Sequence, residues 1–253
     1  MRAHKIVFAA VALTAACLSA PCPAAEVPQA VAATVADSAR PAADTARDAN
    51  RKPAQTLAFA DIKPGAKIAE LMPGGGYYTR LLSKLAGPGG HVYALYPPRR
   101  PNAPDLEAAG KAIAADPHYG NVTVLPLSYT DRALDLPQPV DVAWTSDNYH
   151  DIHNILTSAE MQDFNRRVFE ALKPGGMYIV LDHAAAAGHG ASDTKTMHRI
   201  DPETVKAEVT AAGFKLAGSS DALRNPDDPH TAPIFDASVR GRTDQFILKF
   251  VKP

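Results

Sequence analysis

The densest group of residues able to exchange protons or bind a ligand is Thr145-Ser146-Asp147-Asn148-Tyr149-His150-Asp151-Ile152-His153-Asn154. Nearly every side chain in it donates or accepts a hydrogen bond, and Asp147 and His150 are of the types that take up protons in general acid–base chemistry. His150 and His153 stand three apart beside Asp147 and Asp151, and His183, His189 and His198 come later in the chain. A metal-dependent hydrolase centred on Asp147, His150 and His153 is therefore one chemistry these types allow. Their spacing matches no specific metal motif, and isolated loop histidines more often form hydrogen bonds than ligate, so no metal is expected. The second group is Glu70-Leu71-Met72-Pro73-Gly74-Gly75-Gly76-Tyr77-Tyr78-Thr79. Three consecutive glycines cost backbone entropy and are useful where main chain must turn sharply and come close to a ligand.

The elements around these groups decide whether they can meet. From Lys63 onward, short apolar runs alternate with amphipathic segments, the pattern of a parallel sheet covered by helices. Ile68 to Leu71 reads as a first buried strand that ends beside an acid, Glu70, and Tyr78 to Leu85 as the helix after the glycine turn. His91 to Tyr96, Val122 to Leu125 and Val140 to Thr145 read as further strands, with a helix over Asp105 to Ala115. Ser158 to Leu172 carries Met161, Phe164, Val168, Phe169 and Leu172 on one face, and Lys173-Pro174-Gly175-Gly176 is expected to stop it before a strand over Met177 to Leu181. Asp201-Pro202 opens another helix in the N-cap and N1 arrangement. Phe246 to Val251 is a last strand, and Arg224 to Thr231 is a polar loop before it, of the kind that forms lids. Such a fold gathers the glycine turn, the polar cluster, Asp182 and His183 at the carboxyl ends of its strands, where open α/β sheets bind ligands.

Composition narrows the classes. The chain has 253 residues, 46% hydrophobic and 21% charged, which is enough for one globular domain and a modest appendage. Its 26 basic against 27 acidic side chains leave no basic surplus, so nucleic acid is not an expected partner. Both cysteines, Cys17 and Cys22, precede residue 25, which removes thiol chemistry and disulfides from the body of the chain. Arg2, His4 and Lys5 come before the apolar run Ile6 to Ala16, and small residues lead to Ala24-Ala25, the order of a secretory signal peptide over residues 1–25. That run is too short to span a membrane, and no later stretch approaches the length needed. Export to the periplasm or beyond is expected; anchoring through Cys17 as a lipoprotein is the second route, since Thr14 stands where such a signal usually has Leu. Residues 26–60 are rich in alanine and proline and read as a linker with an N-terminal helix over Ala42 to Asn50, leaving 61–253 as the domain.

The strand, glycine turn and helix resemble the class I S-adenosylmethionine-dependent methyltransferases, whose first motif runs acid-x-Gly-x-Gly-x-Gly. Glu70, Gly74 and Gly76 match, and Met72 takes the place of the first glycine. Tyr77 to Leu82 and Gly87-Pro88-Gly89-Gly90-His91-Val92-Tyr93-Ala94 are similar to the residues C-terminal to that motif in protein-isoaspartate and tRNA-adenine methyltransferases. More narrowly, the chain resembles a bacterial group of exported, predicted methyltransferases that share the Pro-Gly-Gly-Gly-Tyr-Tyr-Thr turn. The resemblance implies a doubly wound, Rossmann-like, seven-stranded and mostly parallel α/β sheet with an antiparallel C-terminal strand. It also implies S-adenosylmethionine as cofactor, held by Glu70, Met72, Pro73, Gly74, Gly75, Gly76, Tyr77, Tyr78, Thr79, Tyr96, Asp147 and Asn148, and a small-molecule acceptor. Where the family ends its second strand in an acid that takes both ribose hydroxyls, this chain has Tyr96, which can offer one hydrogen bond and a stacking face. The same missing acid argues against NAD. Ser146-Asp147-Asn148-Tyr149 stands where amino-group methyltransferases carry their acceptor motif, keeping its aromatic fourth position and lacking its prolines. On that likeness Asp147 or His150 is the base and Tyr149 positions the acceptor. A second class of function is a metabolite binder of the same fold with catalysis lost.

Overall fold

The computed structural model describes residues 27–253; the expected leader, with Cys17 and Cys22, lies outside them. Seven strands are joined in the order β3-β2-β1-β4-β5-β7-β6. They are β1 Lys67–Leu71, β2 His91–Tyr96, β3 Val122–Pro126, β4 Val140–Ser146, β5 Leu172–His183, β6 Lys215–Ser220 and β7 Gln245–Val251. The neighbours from β3 to β5 pair in parallel, and β7 runs antiparallel between β5 and β6. The expected seven-stranded, mostly parallel sheet is therefore present. The order reverses between β1 and β4, which opens a crevice beyond their carboxyl ends.

The helices are α1 Gln29–Val35, α2 Ala42–Thr45, α3 Asp48–Arg51, α4 Pro53–Ala60, α5 Tyr77–Ala86, α6 Leu106–Ala115, α7 Tyr149–His153, α8 Ser158–Ala171 and α9 Pro202–Ala211. Side chains start several of them: Asp105 accepts from Ala108 N at α6, Asp201 from Glu203 N at α9, and Thr157 with Glu160 forms a capping box at α8. One face of the sheet packs Leu71, Leu95, Tyr178 and Phe250 against Phe164 and Val168 of α8. The other packs Ile68, Trp144, Ile179 and Ile247 against Leu81 and Leu82 of α5.

Two expectations are corrected. β5 begins at Leu172, directly after α8, because Leu172 already pairs with Val140 before the bulge at Pro174 and the glycines. Residues 27–60 are not a linker: they form four short helices, of which α1 packs Val31 and α4 packs Leu57 and Ala60 into the core on the α5 side. These anchors are too sparse to make an apolar stripe. No helix among the described residues is long and apolar enough to cross a membrane.

Candidate active site

The turn after β1 is wound through alternate left-handed residues, with φ of 55° at Met72, 59° at Gly74 and 83° at Gly76. Gly76 N-caps α5, and a Cβ there would lie 2.1 Å from Ile113 Cδ1, so the glycine lets α6 close over the turn. Met72 has no such freedom. Its conformation is strained for a side chain that stands where the methyltransferase motif has glycine. Asp147, at the end of the adjacent β4, is also left-handed at φ 58°. Asn148 joins the two strained turns by donating from Nδ2 to Met72 O at 2.8 Å and to Ser146 O at 2.6 Å. Strain of this kind clusters where a ligand is held, and both instances flank the crevice.

A cleft of about 260 Å³ opens there, bordered by Met72, Gly74, Tyr96, Glu107, Asn148 and Asp151. Gly74 leaves open space on its Cβ side, so the cleft reaches bare backbone. Tyr96 is 3% exposed and donates its hydroxyl to Gly74 O at 3.2 Å. Its ring fills the place where a Cβ on Gly110 would sit, 2.4 Å away. Tyr96 thus props the turn from below instead of offering its hydroxyl to a diol. The acid on the Tyr96 side of the cleft is Glu107, from the first turn of α6 and paired with Lys111 at 2.6 Å, while Asp151 borders the other side. Nothing in the sequence marks it out, because an acid in a helix's first turn is ordinary dipole chemistry.

Glu70 lies beneath the turn, 2% exposed, and accepts from Thr79 Oγ1 at 2.6 Å. Burial pushes its carboxyl up to about 8 from 4.5. The folded protein keeps this proton up to about pH 8, while the unfolded chain releases it from 4.5 upward. Its contribution to stability is thus fully present below 4.5 and lost as pH rises to about 8. Glu70→Gln, which retains an acceptor for Thr79, is expected to be more stable than wild type by on the order of 2 kcal/mol at the alkaline end. That gain should shrink toward zero near the acid end, as urea denaturation across the range will measure.

Tyr77 and Tyr78 face away from the cleft. Tyr77 donates to Asp48 Oδ1 at 2.7 Å, and Tyr78 packs on Trp144 with ring centroids 4.9 Å apart. The Arg51 guanidinium lies 4.8 Å over the Tyr77 ring and donates to Asp147 Oδ2 at 2.8 Å. Gln245 Nε2 donates to the other Asp147 oxygen at 2.7 Å. With both oxygens engaged, Asp147 braces α3, β4 and β7 together and is not the free base expected. Beyond it lies a second opening of about 400 Å³, bordered by Arg47, Asp147, His183, Phe235, Arg240 and Gln245.

Tyr149 is not free to position an acceptor, the role its place in the sequence led one to expect. It is fully buried, donates to Glu208 Oε2 at 2.8 Å and accepts from Asn165 Nδ2 at 2.8 Å, so it locks α7 to α8 and α9. His153 joins that cluster, Nε2 to Glu208 at 3.0 Å, and the trio of Asp147, His150 and His153 does not form. Of the three expected catalytic residues, His150 is buried behind the cleft, its Nε2 3.5 Å from Oδ1 of Asp151, which borders the cleft. The His150 backbone N donates to Asp182 Oδ2 at 2.8 Å and its Nδ1 is 2.7 Å from Asp182 Oδ1, with Asp182 fully buried at the end of β5. Burial opposes the charge, but the Asp182 carboxylate lifts the imidazole to about 9. Burial likewise opposes ionisation of Asp182, and His150 beside it holds that carboxyl below its ordinary range.

No protein-family model matches the chain. It is 26% identical over 124 residues to a protein-L-isoaspartate O-methyltransferase of Methanothrix thermoacetophila, covering 47% of this chain and 49% of that one. It is 31% identical over 138 residues to a ubiquinone/menaquinone biosynthesis C-methyltransferase of Bordetella avium, covering 52% and 46%. The chain thus spans about half the length of the curated relatives it matches. Among solved structures it superposes on a SAM-dependent methyltransferase from Aquifex aeolicus with a TM-score of 0.55 and 16% identity, covering 79% of this chain and 88% of that one. The glycopeptide N-methyltransferase MtfA, complexed with S-adenosylmethionine, gives 0.54 and 18%, covering 79% and 86%. Strand order, crevice and these likenesses agree: the chain has the class I S-adenosylmethionine-dependent methyltransferase fold.

Proposed function

We propose that the protein is an exported S-adenosylmethionine-dependent methyltransferase acting on a small molecule. The observation that carries this reading is the cleft at the β1–β4 reversal, where bare Gly74 backbone and two strained turns face one another. The Gly74–Gly76 turn, Asn148 and Glu107 would hold the cofactor, which supplies an activated methyl group. The chain's own contribution is to bind, align and exclude water, since methyl transfer is an in-line displacement. Glu107 supplies from α6 the carboxylate that β2 lacks, and a carboxylate can accept from both hydroxyls of a diol. Glu107→Ala is therefore expected to weaken S-adenosylmethionine binding about tenfold or more, and Tyr96→Phe by less, as equilibrium titration will read. The Asp151 and His150 end of the cleft is the acceptor side.

The leader over residues 1–25 supports export, with the cut after Ala25 and Cys17 lipidation as the second route. Fractionation of cells expressing the full chain tests this, and uncleaved protein confined to the cytoplasm contradicts it. Catalysis is tested by incubating the protein with methyl-labelled S-adenosylmethionine and small-molecule fractions of cell extract. Label in an extractable small molecule, with S-adenosylhomocysteine released in step, is expected. Saturable binding without transfer across all fractions would turn the reading to the metabolite binder.

A further inference from the structure

Behind the cleft mouth, three side chains from two segments point ring nitrogens and a carboxylate at one another. Asp151 Oδ1 is 3.5 Å from His150 Nε2 and 3.6 Å from His198 Nδ1, and the three ligand atoms lie within 4.8 Å of one another. These separations are too long for good hydrogen bonds. Two donors each about 2.0 Å from a tetrahedral ion stand roughly 3.3 Å apart, so the separations suit ligands sharing one metal. We propose that His150, Asp151 and His198 bind one divalent transition ion of the zinc class.

Five further observations support the site. The Asp182 carboxylate at 2.7 Å from His150 Nδ1 is the outer partner that metal-bound imidazoles use: it holds a proton on Nδ1, so that Nε2 is the nitrogen that gives up its proton to an incoming ion. Asp151 and Asp182 bring two carboxylates to one place, which balances a dication. His198 is held left-handed at φ 56°, a cost to the backbone that no hydrogen bond of its ring to the described residues repays. Its neighbour Arg199 is fully buried and tied to Asp228, so the strained residue is rigidly placed. The other histidines near this edge of the sheet have partners: His153 has Glu208, His183 has Thr243, His189 has Asp193 and His230 has Asp244.

Two imidazoles and one carboxylate favour zinc or a similar transition ion over the hard cations calcium and magnesium. Asp151 and His198 keep 31% and 30% of their side chains exposed, so the ion retains an open position. Asp151 also borders the cleft, and His198 packs on Phe235 of the second opening, where Arg47 and Arg240 add positive charge. The open position is therefore suited to an oxygen anion. That this anion belongs to the methyl acceptor rests on the methyltransferase reading; the metal site itself does not.

The test is a titration of zinc chloride into chelator-stripped, full-length protein, with cobalt(II) absorption as a second readout. One ion per chain with submicromolar affinity is expected, and tetrahedral-type cobalt bands that acetohydroxamate shifts. His198→Asn, whose side chain tolerates the left-handed backbone, and Asp151→Asn should weaken zinc at least a hundredfold, and Asp182→Asn about ten- to a hundredfold. His189→Ala should leave binding unchanged. Circular dichroism establishes that each variant is folded. Absence of saturable zinc binding by the wild type, or wild-type affinity in folded His198→Asn, would overturn the site; a cobalt spectrum unmoved by acetohydroxamate would overturn its open position. The titration uses no methyl donor, so its failure is distinct from failure of the cofactor reading.

Discussion

Gly74→Val is expected to lower affinity for S-adenosylmethionine at least a hundredfold while leaving the protein folded. Gly74 is left-handed at φ 59°, and a Cβ built on it meets no protein atom within 4 Å. The added side chain therefore projects into the space a bound molecule would occupy. Part of any effect comes from the backbone, since a β-branched residue held at positive φ costs about 1–2 kcal/mol. Gly65 separates the two contributions. It is also left-handed, at φ 85°, also has open space on its Cβ side, and precedes β1 at the opposite end of the sheet from the cleft. Gly65→Val should lose comparable stability and keep its affinity. Calorimetric titration of both variants, beside their urea midpoints, reads the difference, and equal affinities would remove Gly74 from the site.

Asp228→Ala should destabilise the protein by about 3–5 kcal/mol, the largest stability effect expected of one substitution. Arg199 and Asp228 are both fully buried as side chains and form a two-pronged pair at 2.8 and 3.1 Å. Arg199 also donates to the carbonyls of Ala184 and Ala232, and Asp228 accepts from the backbone N of Asp244 and His230. The pair thus fastens the segment after β5 and the long loop before β7 to each other. Removing the carboxylate leaves a guanidinium that cannot lose its charge in a dry interior. Arg199→Met combined with Asp228→Leu should recover part of the loss, because no charge is left unpaired, while the backbone N–H groups of Asp244 and His230 and the carbonyls of Ala184 and Ala232 lose their partners and keep the rest of the cost. Denaturant unfolding of the two variants checks this. A drop below about 1 kcal/mol for Asp228→Ala would show the pair to be solvated.

Six of the strands were legible because they are short apolar runs between turn residues, and β2 spans the residues its pattern marks, His91–Tyr96; β6, Lys215–Ser220, is largely exposed and polar and carries no such pattern. The glycine turn was legible for a similar reason: three glycines between a strand and a helix have few other uses. What the sequence hid was direction. Tyr149 and His153 belong by type to a reaction centre, yet Glu208, far along the chain, draws both into the packing of α7 on α9. Asp147 is occupied by Arg51, 96 residues away in a segment whose composition resembles a linker. His198 reaches His150 and Asp151 only through the fold, so no spacing marks the trio. Local pattern fixes an element's type, whereas the partner of a polar side chain is a long-range fact.

Whether the β1–β4 cleft is an S-adenosylmethionine site is decided by isothermal titration of S-adenosylmethionine and S-adenosylhomocysteine into the purified protein, with NAD and adenosine as controls. Saturable binding of the first two at one site per chain, with NAD silent and adenosine weaker, is the predicted result. No binding of either by folded protein, or tighter binding of NAD, would contradict it.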